Sequence, residues 1–118
     1  MEYDDNNIFA KIIRKEANAE IVYENEYVLC FLDVFPRAPV HILIVPKKKY
    51  IDIYDFSTNS KIDEKTAIFD SFEKLIEKFN LQNNGCRIIT NYGPNGRQEV
   101  QHLHFHLVGC KDVGRMLT

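Results

Sequence analysis

Three histidines occupy alternate positions in one short stretch of the chain. The segment QHLHFHLVG, residues 101–109, contains His102, His104 and His106, and the whole chain has only four histidines. Neutral imidazole is a nucleophile at physiological pH, it exchanges protons near that pH, and it is a common metal ligand. The cluster therefore predicts a site at which imidazole side chains do chemistry.

The alternation indicates how these side chains are arranged. Alternate residues of a β-strand point to the same face, with Cα atoms about 6.6 Å apart. We therefore expect the three histidines to share one solvent-facing surface. The residues between and after them, Leu103, Phe105 and Leu107, then point the other way and pack on a core.

Three interpretations of the cluster compete. The histidines can form a polar strand face without chemistry. Two of them can bind zinc with a third ligand from elsewhere, and His41 is available for this. They can also carry nucleophilic and acid–base chemistry, in which one imidazole attacks and a neighbour donates a proton. Because no carboxylate or thiolate lies between the histidines, we favour the third interpretation and expect no metal.

The pattern also resembles that of a known family. HLHFHLV fits the signature H-φ-H-φ-H-φ-φ, where φ is apolar, of the histidine triad (HIT) nucleotide hydrolases and transferases. IFAKIIRKEANAEIVYENEYVLCFLDVFPRAPVHILIVPKK is similar to the first half of the Hint branch of that family. ITNYGPNGRQEVQHLHFHLVG is similar to its second half, so the resemblance covers nearly the whole chain.

The resemblance implies a role for each histidine. His104 would attack the α-phosphorus of a nucleotide and form a covalent nucleotidyl-histidine, which water then hydrolyses. His102 and His106 would flank it, orient its ring and share protons. His41 aligns with an upstream histidine of the family that supports the triad by hydrogen bonding.

The resemblance also implies a set of nucleotide-binding residues. Asp33 would accept hydrogen bonds from the ribose hydroxyls, and Asn91 would contact the sugar–phosphate region. The backbone of Gln98, Glu99 and Val100 would offer N–H groups to the phosphate, with the Gln98 side chain nearby. By residue type alone, Asp33 and Asn91 are more typical of turns, and their family positions make them candidates.

The chain departs from the family pattern at several positions. Many members begin with C-x-x-C and bind structural zinc, but those positions are Asn7 and Ala10 here. Lys49 stands where members often have a further histidine, so we expect no structural zinc. Glu99 replaces a serine whose hydroxyl assists the leaving group in some members, and an ionised carboxylate does not donate a hydrogen bond. The tail GRMLT lacks a tryptophan-containing extension found in some relatives.

The elements that position these residues follow from hydrophobic periodicity and turn signals. NNIFAKIIRKE predicts a helix with Asn6 or Asn7 as cap, and AEIVYENEYVLCFLD predicts a hairpin. HILIVP predicts a buried strand, and residues 52–60 are loop-like.

The second half of the chain continues the pattern. A second helix begins near Ser60 or Asp63 and ends at NNG, residues 83–85. It presents an apolar face made of Ile68, Phe69, Phe72, Leu75, Ile76 and Phe79. CRIITNY and HLHFHLV then predict two strands separated by the loop GPNGRQ. This order predicts an α+β domain with about five antiparallel strands and two helices.

Composition limits the remaining possibilities. The 118 residues are 45% hydrophobic, which suits one domain over residues 1–118, and the net charge of −2 gives no argument for nucleic acid or an anionic membrane as partner. Three scattered cysteines indicate a reducing compartment. The polar N-terminus is unlike a signal peptide, so we expect a cytoplasmic protein. The resemblance implies a homodimer.

The resemblance also implies an activity. We expect hydrolysis of purine nucleoside 5′-phosphoramidates to nucleoside monophosphate and amine, without a cofactor. Hydrolysis of dinucleoside polyphosphates, as in a sister branch of the family, is an alternative. A nucleotide-binding regulator or scaffold with little turnover is another.

Overall fold

The fold is a five-stranded antiparallel sheet with helices on both faces. The computed structural model describes residues 2–117. The elements in chain order are α1 (Ile8–Ile13), β1 (Ile21–Glu24), β2 (Val28–Leu32), β3 (Val40–Pro46), α2 (Ile53–Asn59), α3 (Ile62–Lys78), β4 (Cys86–Ile89) and β5 (Phe105–Gly109). The strands lie in the order β1-β2-β3-β5-β4 and every neighbouring pair is antiparallel. The predicted α+β class is confirmed.

One face of the sheet packs against α3. Its core joins residues of β2 and β3 to four residues of α3, Ala67, Ile68, Phe72 and Leu75. Leu103, Phe105 and Leu107 belong to the same cluster, as the alternation predicts. The prediction is wrong for Phe69, whose side chain is 72% exposed.

The opposite face is covered by α1. Phe9 and Ile12 pack on Leu29, Phe31, Leu43 and Val45 of β2 and β3. The helix begins after Asn7, whose side-chain oxygen accepts a hydrogen bond of 2.8 Å from the N–H of Ala10. This confirms the predicted cap.

Three predicted boundaries are wrong. Residues 53–59 form α2 rather than a loop, because the Asp52 carboxylate caps its N-terminus and Phe56 is buried beneath it. Helix α3 ends at Lys78 and so stops before NNG. Asn80, just after the helix, adopts a left-handed φ of 58°. Strand β5 begins at Phe105, so two of the three alternate histidines precede it.

The helices of the described part of the chain are short or amphipathic. Among residues 2–117, no helix has the length and apolar character needed to cross a membrane.

Candidate active site

The four histidines meet where β3 pairs with β5. His41 lies in β3, and His106 lies in β5 opposite Leu43. His41 and Leu43 are two positions apart in β3, so their side chains point to the same face of the sheet. Leu43 packs beneath α1, and both histidines therefore lie on the face that α1 covers. His102 and His104 come from the segment leading into β5.

Two hydrogen bonds fix this leading segment. The N–H of Leu103 donates to the carbonyl of Tyr50 at 2.8 Å. The hydroxyl of Thr90 donates to the carbonyl of His104, also at 2.8 Å. Thr90 was not predicted as a site residue, because a threonine just beyond a strand carries no signal of its distant partner.

The histidines are more buried than the alternation predicts. His102 is fully buried and His104 is 7% exposed, so the expectation of a solvent-facing surface is wrong. The physical reason is the cover that α1 provides. The ring of Phe9 meets that of His104 edge-on, with centroids 4.8 Å apart. Phe9 was predicted only as part of a helix face, and this contact adds it to the site.

The hydrogen bond of His104 determines which of its nitrogens is reactive. Its Nδ1 lies 2.8 Å from the backbone carbonyl of His102. A carbonyl only accepts, so this contact assigns the proton of the neutral ring to Nδ1. Nε2 of His104 is left with its lone pair, which is the form a nucleophile needs.

The same reasoning assigns the protons of His41 and His106. The backbone N–H of Arg37 donates to Nδ1 of His41 at 3.0 Å, so the proton of His41 sits on Nε2. That Nε2–H points to Nδ1 of His106 at 2.9 Å, with a carboxylate oxygen of Asp33 at 3.3 Å. His106 therefore carries its own proton on Nε2. Its ring centroid lies 5.2 Å from that of His104.

His102 is held through both ring nitrogens. Nε2 lies 2.8 Å from the carbonyl oxygen of Pro46, which assigns its proton to Nε2. Nδ1 lies 2.5 Å from the hydroxyl of Tyr3. Tyr3 is not predictable as a site residue, because this contact joins residues 99 positions apart.

Burial holds all four imidazoles in the neutral form. It lowers the pKa of His102 to about 4, against the pull of the Pro46 carbonyl. It also lowers the pKa of His106 to about 4, with further lowering by His104 and His41. The pKa values of His41 and His104 are lowered for the same main reason. For His104, the charges of Asp33 and Glu99 act in the opposite direction.

The predicted nucleotide-binding residues occupy two places. Asp33 follows β2 and lies against His41, and its second carboxylate oxygen accepts a hydrogen bond of 2.9 Å from the N–H of Phe35. Asn91 lies in the loop between β4 and β5, where its amide donates to the carbonyl of Gly96 at 2.7 Å. The structure thus brings Asp33 within 3.3 Å of a histidine of the cluster, whereas the amide of Asn91 bonds to the backbone of its own loop.

Gln98 organises the loop from inside. Its side-chain amide donates to the carbonyls of Ile51 and Val100 at 2.7 and 3.0 Å, and its side-chain oxygen accepts from the N–H of Gly93. The backbone N–H of Gln98 donates to the carbonyl of Gly93 at 3.0 Å, so the prediction that it is offered to phosphate is wrong. Glu99 is exposed, and Val100 packs against the apolar cluster beneath α1.

Asp33, His41 and His106 also form a group with the residue types of a metal site. Their ligand atoms lie within 4.8 Å of one another. However, the Arg37 N–H occupies the lone pair on Nδ1 of His41, which requires Nε2 to carry a proton. A metal ion needs a lone pair at that same Nε2. The donor set therefore fits a shared proton better than a metal ion.

The side chains at the positions where the resemblance places structural zinc ligands have other partners. Asn7 caps α1 through its side-chain oxygen. The ammonium group of Lys49 pairs with Asp5 at 2.7 Å. Since neither an N-cap amide nor a paired ammonium group is a zinc ligand, these side chains do not fit the ion.

Comparisons with known proteins identify the family of this chain. The HIT domain family matches residues 14–113. A HIT-like protein of Rickettsia prowazekii is 43% identical over 94% of this chain and 92% of its own length. The purine nucleoside phosphoramidase of Escherichia coli strain K12 is 36% identical over 97% of this chain and 95% of its own length.

A solved structure shows the same similarity in three dimensions. The HIT family hydrolase from Clostridium thermocellum has a TM-score of 0.88 and 36% identity, and the match covers 98% of this chain and 99% of that one. The matched region contains the whole histidine cluster and the strands that position it. The chain therefore belongs to the HIT domain family.

Proposed function

We propose that this protein hydrolyses purine nucleoside 5′-phosphoramidates to a nucleoside monophosphate and an amine. The broader activity, a nucleotide hydrolase of the HIT family, is supported by the family match and by relatives named as HIT family hydrolases. The finer choice of substrate is supported by the relative from Escherichia coli, which is named a purine nucleoside phosphoramidase.

The observation that carries the proposal is the hydrogen bond between Nδ1 of His104 and the carbonyl of His102. It fixes the His104 ring with a lone pair on Nε2. The lowered pKa of His104 keeps that lone pair free of a proton at neutral pH. A fixed, neutral imidazole is ready to attack phosphorus without first losing a proton.

The reaction then proceeds in two steps. Nε2 of His104 forms a bond to the α-phosphorus while the bond from phosphorus to the amine breaks. The amine leaves with the electron pair and takes up one proton from an imidazolium of the cluster, because the bound phosphate raises histidine pKa values. In the second step water attacks the phosphorus and gives one proton to the imidazole that protonated the amine. The His104–phosphorus bond breaks, its electron pair returns to Nε2 of His104, and the nucleoside monophosphate is released.

The neighbouring residues support these steps. The Nε2–H of His106 is a donor for the phosphoryl oxygen, where negative charge develops. The Nε2–H of His41 keeps that proton on Nε2 of His106. Asp33 lies against His41 and would accept hydrogen bonds from the ribose. Asn91 lies in the loop that would border the sugar and phosphate, and the N–H groups of Glu99 and Val100 would face the phosphate.

A rapid-quench experiment tests this mechanism. The wild-type protein is mixed with a phosphorus-labelled adenosine phosphoramidate and stopped within one turnover. A phosphorus–nitrogen adduct that is acid-labile and base-stable should appear on the peptide containing His104. The His104→Asn variant is the matched control, because its amide keeps a donor at the Nδ1 position and removes Nε2.

The outcomes separate the possible functions. An adduct in the wild type and none in His104→Asn supports the proposal. Turnover of His104→Asn at the wild-type rate contradicts it. Faster hydrolysis of a dinucleoside polyphosphate would assign the protein to that alternative activity. Tight binding of adenosine monophosphate with negligible turnover of both substrates would favour a regulator or scaffold.

We further propose that residues 1–118 form one domain that acts as a homodimer in the cytoplasm, with a purine nucleotide as partner and neither nucleic acid nor membrane. The net charge of −2 supports the absence of the last two. Strand β4 lies at one edge of the sheet and exposes Ile88 and Ile89, and α3 exposes Ile62 and Phe69. Apolar side chains at a sheet edge suit a self-complementary interface.

A further inference from the structure

The N-terminal arm, residues 2–7, reaches the histidine cluster through Tyr3. The Tyr3 hydroxyl lies 2.5 Å from Nδ1 of His102, and the two rings meet edge-on with centroids 5.5 Å apart. His102 is fully buried, and its other nitrogen is bound to the carbonyl of Pro46. Tyr3 therefore supplies the second partner of a buried ring.

The direction of this hydrogen bond follows from its surroundings. The Pro46 carbonyl only accepts, so Nε2 of His102 carries the proton. Nδ1 of the neutral ring is then an acceptor, and the Tyr3 hydroxyl must donate to it. Burial raises the pKa of Tyr3, which keeps the hydroxyl protonated and able to donate.

His102 connects Tyr3 to the proposed nucleophile. The backbone carbonyl of His102 accepts the Nδ1–H of His104. A ring of His102 fixed at both nitrogens holds this carbonyl in place, and the carbonyl holds His104. If Nδ1 of His102 lost its donor, the buried ring would have an unpaired acceptor or would rearrange.

We propose that Tyr3 is a positioning residue for His104: its phenol fixes the tautomer and orientation of His102, which in turn aligns the nucleophile. This inference rests on the proposed function in assigning attack to His104. Tyr3 acts through His102, so it changes how often the His104 ring is aligned and leaves substrate binding alone.

Contacts on the far side of Tyr3 hold the arm in place. The ammonium group of Lys49 lies 5.9 Å from the centre of the Tyr3 ring. The same group pairs with Asp5 of the arm at 2.7 Å. Lys49 and Asp5 thus join the arm to the end of β3, beside the carbonyl that fixes His102.

The test is the Tyr3→Phe variant, which keeps the ring and removes the donor. For the adenosine phosphoramidate we expect kcat to fall roughly three- to tenfold, the effect of one hydrogen bond, with KM unchanged. Tyr27→Phe is the matched control, since Tyr27 lies in the turn before β2, and its kcat should equal that of the wild type.

Nitrogen NMR provides a readout that does not depend on turnover. In 15N-labelled wild type, His102 should show a protonated Nε2 and a hydrogen-bonded Nδ1. In Tyr3→Phe the Nδ1 resonance of His102 should move toward that of a free imidazole acceptor, and the Nδ1–H resonance of His104 should shift. Tyr27→Phe should leave both resonances unchanged.

Each result decides the inference. An unchanged Nδ1 resonance of His102 in Tyr3→Phe would overturn it, because the hydroxyl would then make no hydrogen bond. A shifted resonance with an unchanged kcat would also overturn it, because the contact would then position nothing. If the wild type hydrolyses no phosphoramidate, the proposed function fails, and an unshifted His104 resonance in Tyr3→Phe then overturns the positioning role.

Discussion

The Nε2 atom of His41 lies 2.9 Å from the Nδ1 atom of His106, and the proton between them belongs to His41. This follows from the backbone N–H of Arg37, which occupies the other nitrogen of His41. A main-chain amide outside the histidine cluster thus determines where His106 carries its proton.

Removal of the His41 donor should impair catalysis without preventing attack. In His41→Leu, Nδ1 of His106 loses its donor, and the ring can shift its proton away from the phosphoryl oxygen. We expect kcat to fall about 100-fold, the effect of a misplaced acid–base group, while the nucleotidyl adduct still forms. His41→Gln keeps an N–H near the Nε2 position, so its kcat should fall less. Equal losses in the two variants would contradict this role.

The burial of His104 makes its substitutions differ in stability. His104→Ala removes the contact with Phe9 and the donor to the His102 carbonyl, so the free energy of unfolding should fall by about 2–3 kcal/mol. His104→Asn keeps the donor, so its free energy of unfolding should fall less. Urea unfolding of both variants measures the difference. Equal stability of His104→Ala and the wild type would show that the ring is not packed as described.

His102 should make the fold sensitive to acid. Its pKa is about 4 in the folded protein and about 6.5 in the unfolded chain, so only the unfolded chain takes up a proton between these values. The contribution of His102 to the free energy of unfolding is fully present above pH 6.5 and is lost as the pH falls toward 4. The loss is about 2 kcal/mol at pH 5. His102→Gln does not titrate, so its free energy of unfolding should fall by about 2 kcal/mol less between pH 7.5 and 5. An unchanged pH dependence in this variant would contradict the lowered pKa.

The purified protein should carry no stoichiometric zinc and should remain active in a chelator. The proton on Nε2 of His41 opposes a metal at Asp33, His41 and His106, and the Asn7 side chain caps α1 and offers no thiolate. Elemental analysis and kcat in excess EDTA check this expectation. About one zinc per chain, with activity lost on its removal, would restore the metal interpretation.

The proposed homodimer should depend on the edge strand β4. Ile88 is 38% exposed there, and an arginine in its place would bring a charge into the interface. We expect the wild type to be a dimer by light scattering at micromolar concentration and Ile88→Arg to be a monomer. Ile21→Arg is the control, since Ile21 is 44% exposed on β1 at the opposite edge. A monomeric wild type would remove the proposal.

The extent to which sequence predicted this fold depended on the length and periodicity of each element. The hairpin and α3 have strong patterns, and both were found. Helix α2 has seven residues and only Phe56 buried, so its periodicity was too weak to recognise. Phe69 fits the apolar spacing of α3 but lies outside the part that the sheet covers, and spacing alone does not show where that cover ends.

The site was predicted in its residue types but not in its surroundings. The alternation of the histidines and the family resemblance identified the residues that the structure brings together. The burial of His104 depends on Phe9 of α1, 95 positions earlier in the chain, and no local pattern reveals that cover. The proton positions depend on the backbone amide of Arg37 and the carbonyls of His102 and Pro46. Backbone groups of these kinds occur in every protein, and only the folded structure places these three beside the histidines.

The position of β5 between β3 and β4 has a consequence for the biosynthesis of the protein. Residues 86–89 leave the ribosome before residues 105–109, so β4 has no neighbour in the sheet until β5 inserts beside it. The hydrogen bond between His41 and His106 spans 65 positions and forms in the same event. Nascent chains that still hold residues 105–109 in the ribosomal tunnel therefore have no assembled histidine cluster, and the proposed chemistry can begin only when the sheet closes.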